Sequence, residues 1–119
     1  MSPMEMFVEW LRSLPETAGY QYSRGMWTES PGRKLAVWQE GGRIVGGSER
    51  VRYPSMRLVI VGDRDARSDA AVIEKLAEVL IAKDYQFDCV HLRAIGGMIG
   101  PGYTTENRPW VELNFELVI

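Results

Sequence analysis

Met56-Arg57-Leu58-Val59-Ile60-Val61-Gly62-Asp63-Arg64-Asp65, followed after Ser68-Asp69 by Ile73, Leu76, Ala77, Leu80 and Ile81, is the stretch around which this chain is organised. Its first six residues are rich in β-branched side chains, too few for a buried helix and suited to a strand covered on both faces. The next four turn the chain. The apolar residues beyond them are spaced i, i+3, i+4, i+7 and i+8, which is one face of a helix. Asp65 and Asp69 lie toward the positive end of that helix and Lys83 at its negative end, so local charge agrees with the pattern. A strand and an amphipathic helix joined by a short turn must pack together or leave both apolar faces wet. The core belongs here.

Upstream, Ser2-Pro3-Met4-Glu5 reads as a helix start, with a serine cap, proline at the first helical position and glutamate three residues after the cap. Met4, Phe7, Val8 and Leu11 form one face and Pro15 ends the run. Such a helix is a core element or a partner-binding handle, and its amphipathicity favours the core. Residues 15–33 read as a loop punctuated by Pro15, Gly19, Gly25, Pro31 and Gly32. They also hold Tyr20, Tyr22, Met26 and Trp27, so the loop is expected to pack on the domain. Lys34-Leu35-Ala36-Val37-Trp38-Gln39 predicts a strand. Residues 41–54 read as a glycine-rich excursion, mobile in the free monomer, with Gly46-Gly47 suited to a two-residue hairpin turn. Pro54 is expected to separate it from the central strand.

Downstream, residues 88–95 predict a strand with Val90, Leu92 and Ala94 on one face and Cys89, His91 and Arg93 on the other. Residues 108–119 predict the longest strand, where Val111, Leu113, Phe115, Leu117 and Ile119 alternate with Glu112, Asn114 and Glu116. Antiparallel pairing of the two would set His91 and Arg93 against Glu112 or Glu116, contacts worth ~0.2–1 kcal/mol each. The connection, residues 96–107, exceeds the usual hairpin loop of about 2–5 residues. It is expected to stay flexible until a partner holds it, with Met98, Ile99 and Tyr103 as its contact residues. The fold class that results is α/β in the α+β sense: a mixed, mostly antiparallel sheet, two helices packed on one face, and long flexible loops.

At 119 residues the chain suits one domain, able to bury roughly two-thirds of its unfolded surface. A net charge of −2 argues against an obligate nucleic-acid binder. Within residues 21–57, however, Arg24, Arg33, Lys34, Arg43, Arg50, Arg52 and Arg57 face only Glu29, Glu40 and Glu49, a local +4 that leaves −6 elsewhere. A solvated, loop-rich surface accounts for this, and so does a basic patch, centred on Arg43, Arg50 and Arg52, that meets an acidic partner or another copy of the chain. Cys89 is the single cysteine, which excludes a disulfide framework and a cysteine zinc set and fits a reducing compartment. The N-terminus has no signal-peptide pattern and no apolar run is long enough to cross a membrane, so a cytosolic protein is expected.

No residue set carries chemistry. A strand ending in Val61-Gly62 before a helix suggests a dinucleotide turn, but the glycine fingerprint is absent and the acids there would repel a pyrophosphate. Residues 96–102 lack the lysine and hydroxyl of a phosphate-binding loop. Asp63, Asp65 and Asp69 lack the glycine and terminal glutamate of a calcium loop and read as helix capping. Cys89 and His91 lie two apart on one strand face, poorly placed as nucleophile and base. No enzyme, cofactor or metal site is expected.

The run Arg57-Leu58-Val59-Ile60-Val61-Gly62, the helix through Leu80, Cys89-Val90-His91-Leu92 and the closing Trp110-Val111-Glu112-Leu113-Asn114-Phe115-Glu116 give the chain a resemblance. It resembles the tail terminator (minor capsid, tail-completion) proteins of long-tailed phages and prophages, the lambda type, best over residues 56–119. The resemblance implies a ring, six copies in that family, that ends tail-tube polymerisation and joins the tail to the neck or head–tail connector. Its partners would be itself, the tail tube protein and the connector. Its place would be the virion tail, assembled in the bacterial cytoplasm. A ring needs two complementary patches on each subunit, which the uneven charge can supply. Two other readings stand beside it: a neck or head-closure protein of the same virion, and a small host ligand-binding protein or enzyme.

Overall fold

The computed structural model describes residues 2–44, 52–64, 66–83, 85–87 and 90–118. Helix α1 (Pro3–Ser13) starts as its sequence dictates: Ser2 Oγ accepts a hydrogen bond from the Glu5 amide at 3.2 Å, and Pro3 occupies the first helical position. It buries Phe7, Val8, Trp10 and Leu11 and gives way at Leu14 to a short 3-10 turn, Pro15–Thr17. Then come β1 (Gln21–Arg24), β2 (Lys34–Ile44), β3 (Arg52–Val61), α2 (Asp69–Ala82), β4 (Tyr85–Phe87), β5 (Val90–Ala94), β6 (Ile99–Tyr103) and β7 (Pro109–Val118). No helix among the described residues is long and apolar enough to cross a membrane.

The strands form one mixed sheet in the order β1-β2-β3-β7-β5-β4, with β6 pairing β7 beside that path. Only β1 and β2 run parallel among the described pairs. Register aligns the apolar residues into rows: Leu35 opposite Ile60 opposite Val111, Val37 opposite Leu58 opposite Leu113, and Met56 opposite Phe115. Side chains alternate across a strand, so these rows share one face. Both helices pack on that face, α1 through Phe7, Val8, Trp10 and Leu11, and α2 through Ile73, Leu76, Ala77 and Leu80. The ring of Phe115 lies 5.2 Å from Phe7 and 5.8 Å from Trp10. The sheet thus has the mostly antiparallel, two-helix layout expected.

β3 is covered on both faces, by different means. Behind it Ala36, Val59 and Val61 form a small second cluster roofed by Trp27, Trp38 and Trp110. The Arg57 guanidinium stacks 4.5 Å from the Trp38 ring. Its Nε lies 3.1 Å from Glu40, off the angle for a hydrogen bond, and a guanidinium nitrogen lies 3.9 Å from Glu112.

Three expectations about loops need correction. Residues 15–33 are not all loop, because residues 21–24 form β1, begun by a bond from the Gln21 amide to the Arg33 carbonyl at 2.9 Å. Four residues between Gly19 (φ 85°) and Gly25 (φ 89°) are too few to show an alternation, and their partner strand is ten residues away. Pro54 does not separate the 41–54 excursion from the central strand. It lies inside β3 opposite Gly42, where a bulge between Glu40 and Gly42 breaks the ladder. Bulges are among the few places where a sheet tolerates proline. The Gly46-Gly47 turn lies outside the described residues. The 96–107 connection contains β6, paired with the start of β7 through a register shift between Ile99 and Gly102. Gly102 makes this possible. A Cβ there would lie 2.7 Å from the Trp110 ring, so only glycine lets the backbone lie on the indole.

Candidate interaction surface

Beyond the bulge, β2 and β3 continue as a two-stranded ribbon. β1 pairs β2 only through Val37, and β7 pairs β3 only from Ser55 onward. Among the described residues no third strand flanks the pairs Gly42–Pro54, Arg43–Tyr53 and Ile44–Arg52. The ribbon fits the molecule's extents of 49 × 26 × 23 Å. Arg43 and Arg52 take register positions near its far end, and Arg50 lies outside the described residues.

The other three expected contact residues divide. Met98 is half-buried against the helix-side core, so its apolar surface is spent inside the fold. Ile99 and Tyr103 are exposed on β6, by 50% and 54%. Ile99 stands opposite Glu112 and Tyr103 opposite Pro109, so the structure does not bring them to the ribbon.

The basic stretch is thinner in space than along the chain. Arg57 is engaged with Glu40 and Trp38, Arg33 with Asp69, and Lys34 is buried. Arg24 is exposed at the end of β1.

Arg33 and Lys34 belong to a charged clasp at the opposite end of β3 from the ribbon. Arg108, fully buried, donates from Nε to Glu29 at 2.8 Å, from Nη1 to the carbonyls of Gly32 (2.9 Å) and Gly62 (3.2 Å), and from Nη2 to the Ser30 carbonyl. Arg33 grips Asp69 with two bonds, 3.0 and 2.9 Å. Asp69 accepts from the Asp63 amide and Asp63 from the Gly32 and Arg64 amides, each at 2.8 Å. Asp69 stands in the first turn of α2, as the charge pattern anticipates, but its carboxylate binds Arg33 and the Asp63 amide; Ser68 caps α2 without a side-chain bond, and Asp65 lies outside the described residues.

Electrostatics follow from this geometry. The Arg33 bonds hold the Asp69 carboxyl below its ordinary value despite burial. Amide bonds from Gly32 and Arg64 do the same for Asp63. Burial opposes ionisation of Glu29, yet its hydrogen bond and proximity to Arg108 prevail and lower it. Burial pushes Lys34 down, helped by the Arg108 charge. Lys34 and Arg108 are sealed from solvent, at 2% and 0% exposure, so no substrate reaches them. The clasp fixes residues 25–33 against the sheet end. Sequence reasoning missed Arg108, whose partners stand 46 to 79 positions away and leave no local signal.

On the outer face Arg93 and Glu116 pair in register at 2.6 Å, one of the expected contacts. His91 stands opposite Gln86 on one side and Val118 on the other in the register. Cys89 lies outside the described residues, and among the described residues no cluster of three or more metal-ligating side chains occurs. In comparison with known proteins, no family model matches the chain and no curated protein matches it.

Proposed function

We propose that this chain is an assembly protein of a phage or prophage virion, of the tail-terminator type. Copies of it close into a ring, a hexamer in the type it resembles, on the end of the tail tube. The ring stops polymerisation and presents the surface that meets the neck or head–tail connector. Its work is done by fitted surfaces, in the virion tail, after assembly in the host cytoplasm.

The observation that supports this reading best is the ribbon. Two strands alone are marginally stable in water, and unflanked edges invite pairing with another chain. A protein that works alone gains nothing from either. One that assembles uses the edges and the arginines at 43, 50 and 52 against acidic neighbours.

Deleting the gene from the lysogen that carries it tests the reading by negative-stain microscopy of induced particles. Tails of uncontrolled length without heads are expected, and the triple change Arg43→Glu, Arg50→Glu, Arg52→Glu should reproduce them. Headless tails of normal length would assign the chain to the neck instead. Complete particles in normal yield would overturn the proposal.

A further inference from the structure

A groove of about 280 Å³ runs between α2 and the segment that leads into β1. Tyr20, Val72, Leu76 and Val79 line it, together with Arg33 and Lys75. Small-molecule sites occupy about 300–1,000 Å³, so this groove is sized for one large side chain.

Its charge is selective. Glu16, which also lines the groove, has Lys83 at 3.5 Å. Asp69 is satisfied by Arg33, which uses Nε and Nη2 and keeps Nη1 free of that pair. Lys75 is exposed and has no ion-pair partner among the described residues. The uncompensated charge is positive. Tyr20 adds a second signal: its hydroxyl is buried with no hydrogen-bond partner among the described residues. An orphan of this kind marks where a polar group from outside completes a site.

The complementary shape is on the same chain. The turn between β6 and β7 carries Tyr103, 54% exposed, and Glu106, also exposed. Bonds from the Thr104 amide to the Arg108 carbonyl (2.9 Å) and from the Asn107 amide to the Thr104 carbonyl (3.0 Å) hold the turn in shape. From Ile95 through Thr105 the chain has no charged residue, so Glu106 is the first charge after a long apolar and neutral run. Among the described residues its carboxylate accepts only from the Thr105 hydroxyl, at 2.9 Å.

We propose that the α2 groove of one copy receives the 103–106 turn of a second copy, with the Tyr103 ring on the apolar walls and Glu106 on Lys75 and Arg33. A rigid aromatic anchor beside an opposite charge is the usual make-up of an interface hot spot. The pairing rests on the assembly reading, and it supplies the two unlike patches that a head-to-tail contact requires. The anchor is small compared with a stable interface of roughly 1,200–2,000 Å², so cross-linking detects it where chromatography does not.

The test uses the unaltered chain. Equal amounts of ¹⁴N- and ¹⁵N-labelled protein are mixed at high concentration and treated with a carbodiimide. The reagent activates a carboxyl, the lysine amine forms the amide, and the reagent leaves as its urea with the elements of water. Mass spectrometry should find Lys75 joined to Glu106 in mixed-isotope peptides. Tyr103→Ala, which leaves the Lys75 amine and the Glu106 carboxyl in place, should cut the yield of that product at least tenfold, and an undiminished yield would overturn the proposal. Other intermolecular links without the 75–106 product would overturn the proposal, as would its formation only within one isotope. Gel analysis separates this claim from the ring. A ladder of rising multimers supports both, and a product that stops at dimer supports the groove contact while refuting the ring.

Discussion

Replacing Arg108 with methionine should cost this protein a large share of its stability. The side chain is sealed from solvent and makes four hydrogen bonds, one to a carboxylate and three to backbone carbonyls of residues 30, 32 and 62. Methionine keeps the bulk and removes every donor. Glu29 can turn to water, being partly exposed, but the Gly62 carbonyl is buried and loses its bond to Arg108. Each bond to a charged group is worth about 1.5–3 kcal/mol net, and removing one partner of a buried pair costs about 3–5 kcal/mol. The 25–33 segment is free to relax, so the sum of all four bonds is an overestimate and about 3–5 kcal/mol is expected. For a domain of this size that corresponds to roughly 10–20 °C in Tm. Urea and thermal denaturation followed by far-ultraviolet circular dichroism read the loss. Trp27 fluorescence should shift red as its segment loosens, before the global transition. A loss under about 1 kcal/mol, or an unchanged Trp27 signal, would show that the clasp does not hold the segment.

Gly102→Ala puts a Cβ 2.7 Å from the Trp110 ring, so β6 must lift from the indole. A loss of about 1–3 kcal/mol with altered tryptophan fluorescence is expected, and native-like behaviour would mean the ring moves freely. Asp69 and Asp63 have carboxyls held below their ordinary value of 3.8. The unfolded chain therefore binds their protons first as pH falls, so the stability they add is present above about pH 4 and is lost on acidification through their folded values. Asp69→Asn should flatten the fall in urea stability between about pH 5 and 2, and an unchanged slope would mean the Arg33 pair is not formed. Tyr20→Phe removes a hydroxyl with no partner among the described residues, so stability should hold or rise. A loss above about 1 kcal/mol would reveal a bond to that oxygen.

What could be read from sequence was whatever repeats at short range. The α2 face from Ile73 to Leu80 and the alternation of β7 from Val111 to Leu117 were legible because each apolar residue lies within four positions of the next. The Ser2 cap was legible for the same reason, its partner being three residues on. β1 was not, since its four residues hold no period and its stability comes from pairing with Lys34 through Val37. β6 was hidden by glycines that look like flexibility and instead permit contact with Trp110. Of the expected contact residues, Ile99 and Tyr103 on β6 are exposed, while Met98, which precedes that strand, packs part-buried against the core.

Charge shows most plainly how a linear count misleads about a surface. Seven cations against three acids in residues 21–57 suggests a broad basic patch. Folding spends Arg33 on Asp69, Arg57 on Glu40 and Trp38, and buries Lys34 against Gln21 and Ser30. Lys34 and Arg57 are not available to a partner without dismantling a contact that the fold uses, and Arg33 has only the Nη1 that its pair with Asp69 leaves over. Arg43 and Arg52 take register positions beyond the last strand that supports the sheet among the described residues, at the end remote from the clasp. The proposed assembly would need interface charges of that kind, because a contact that is both interface and core cannot be offered without weakening the fold that offers it.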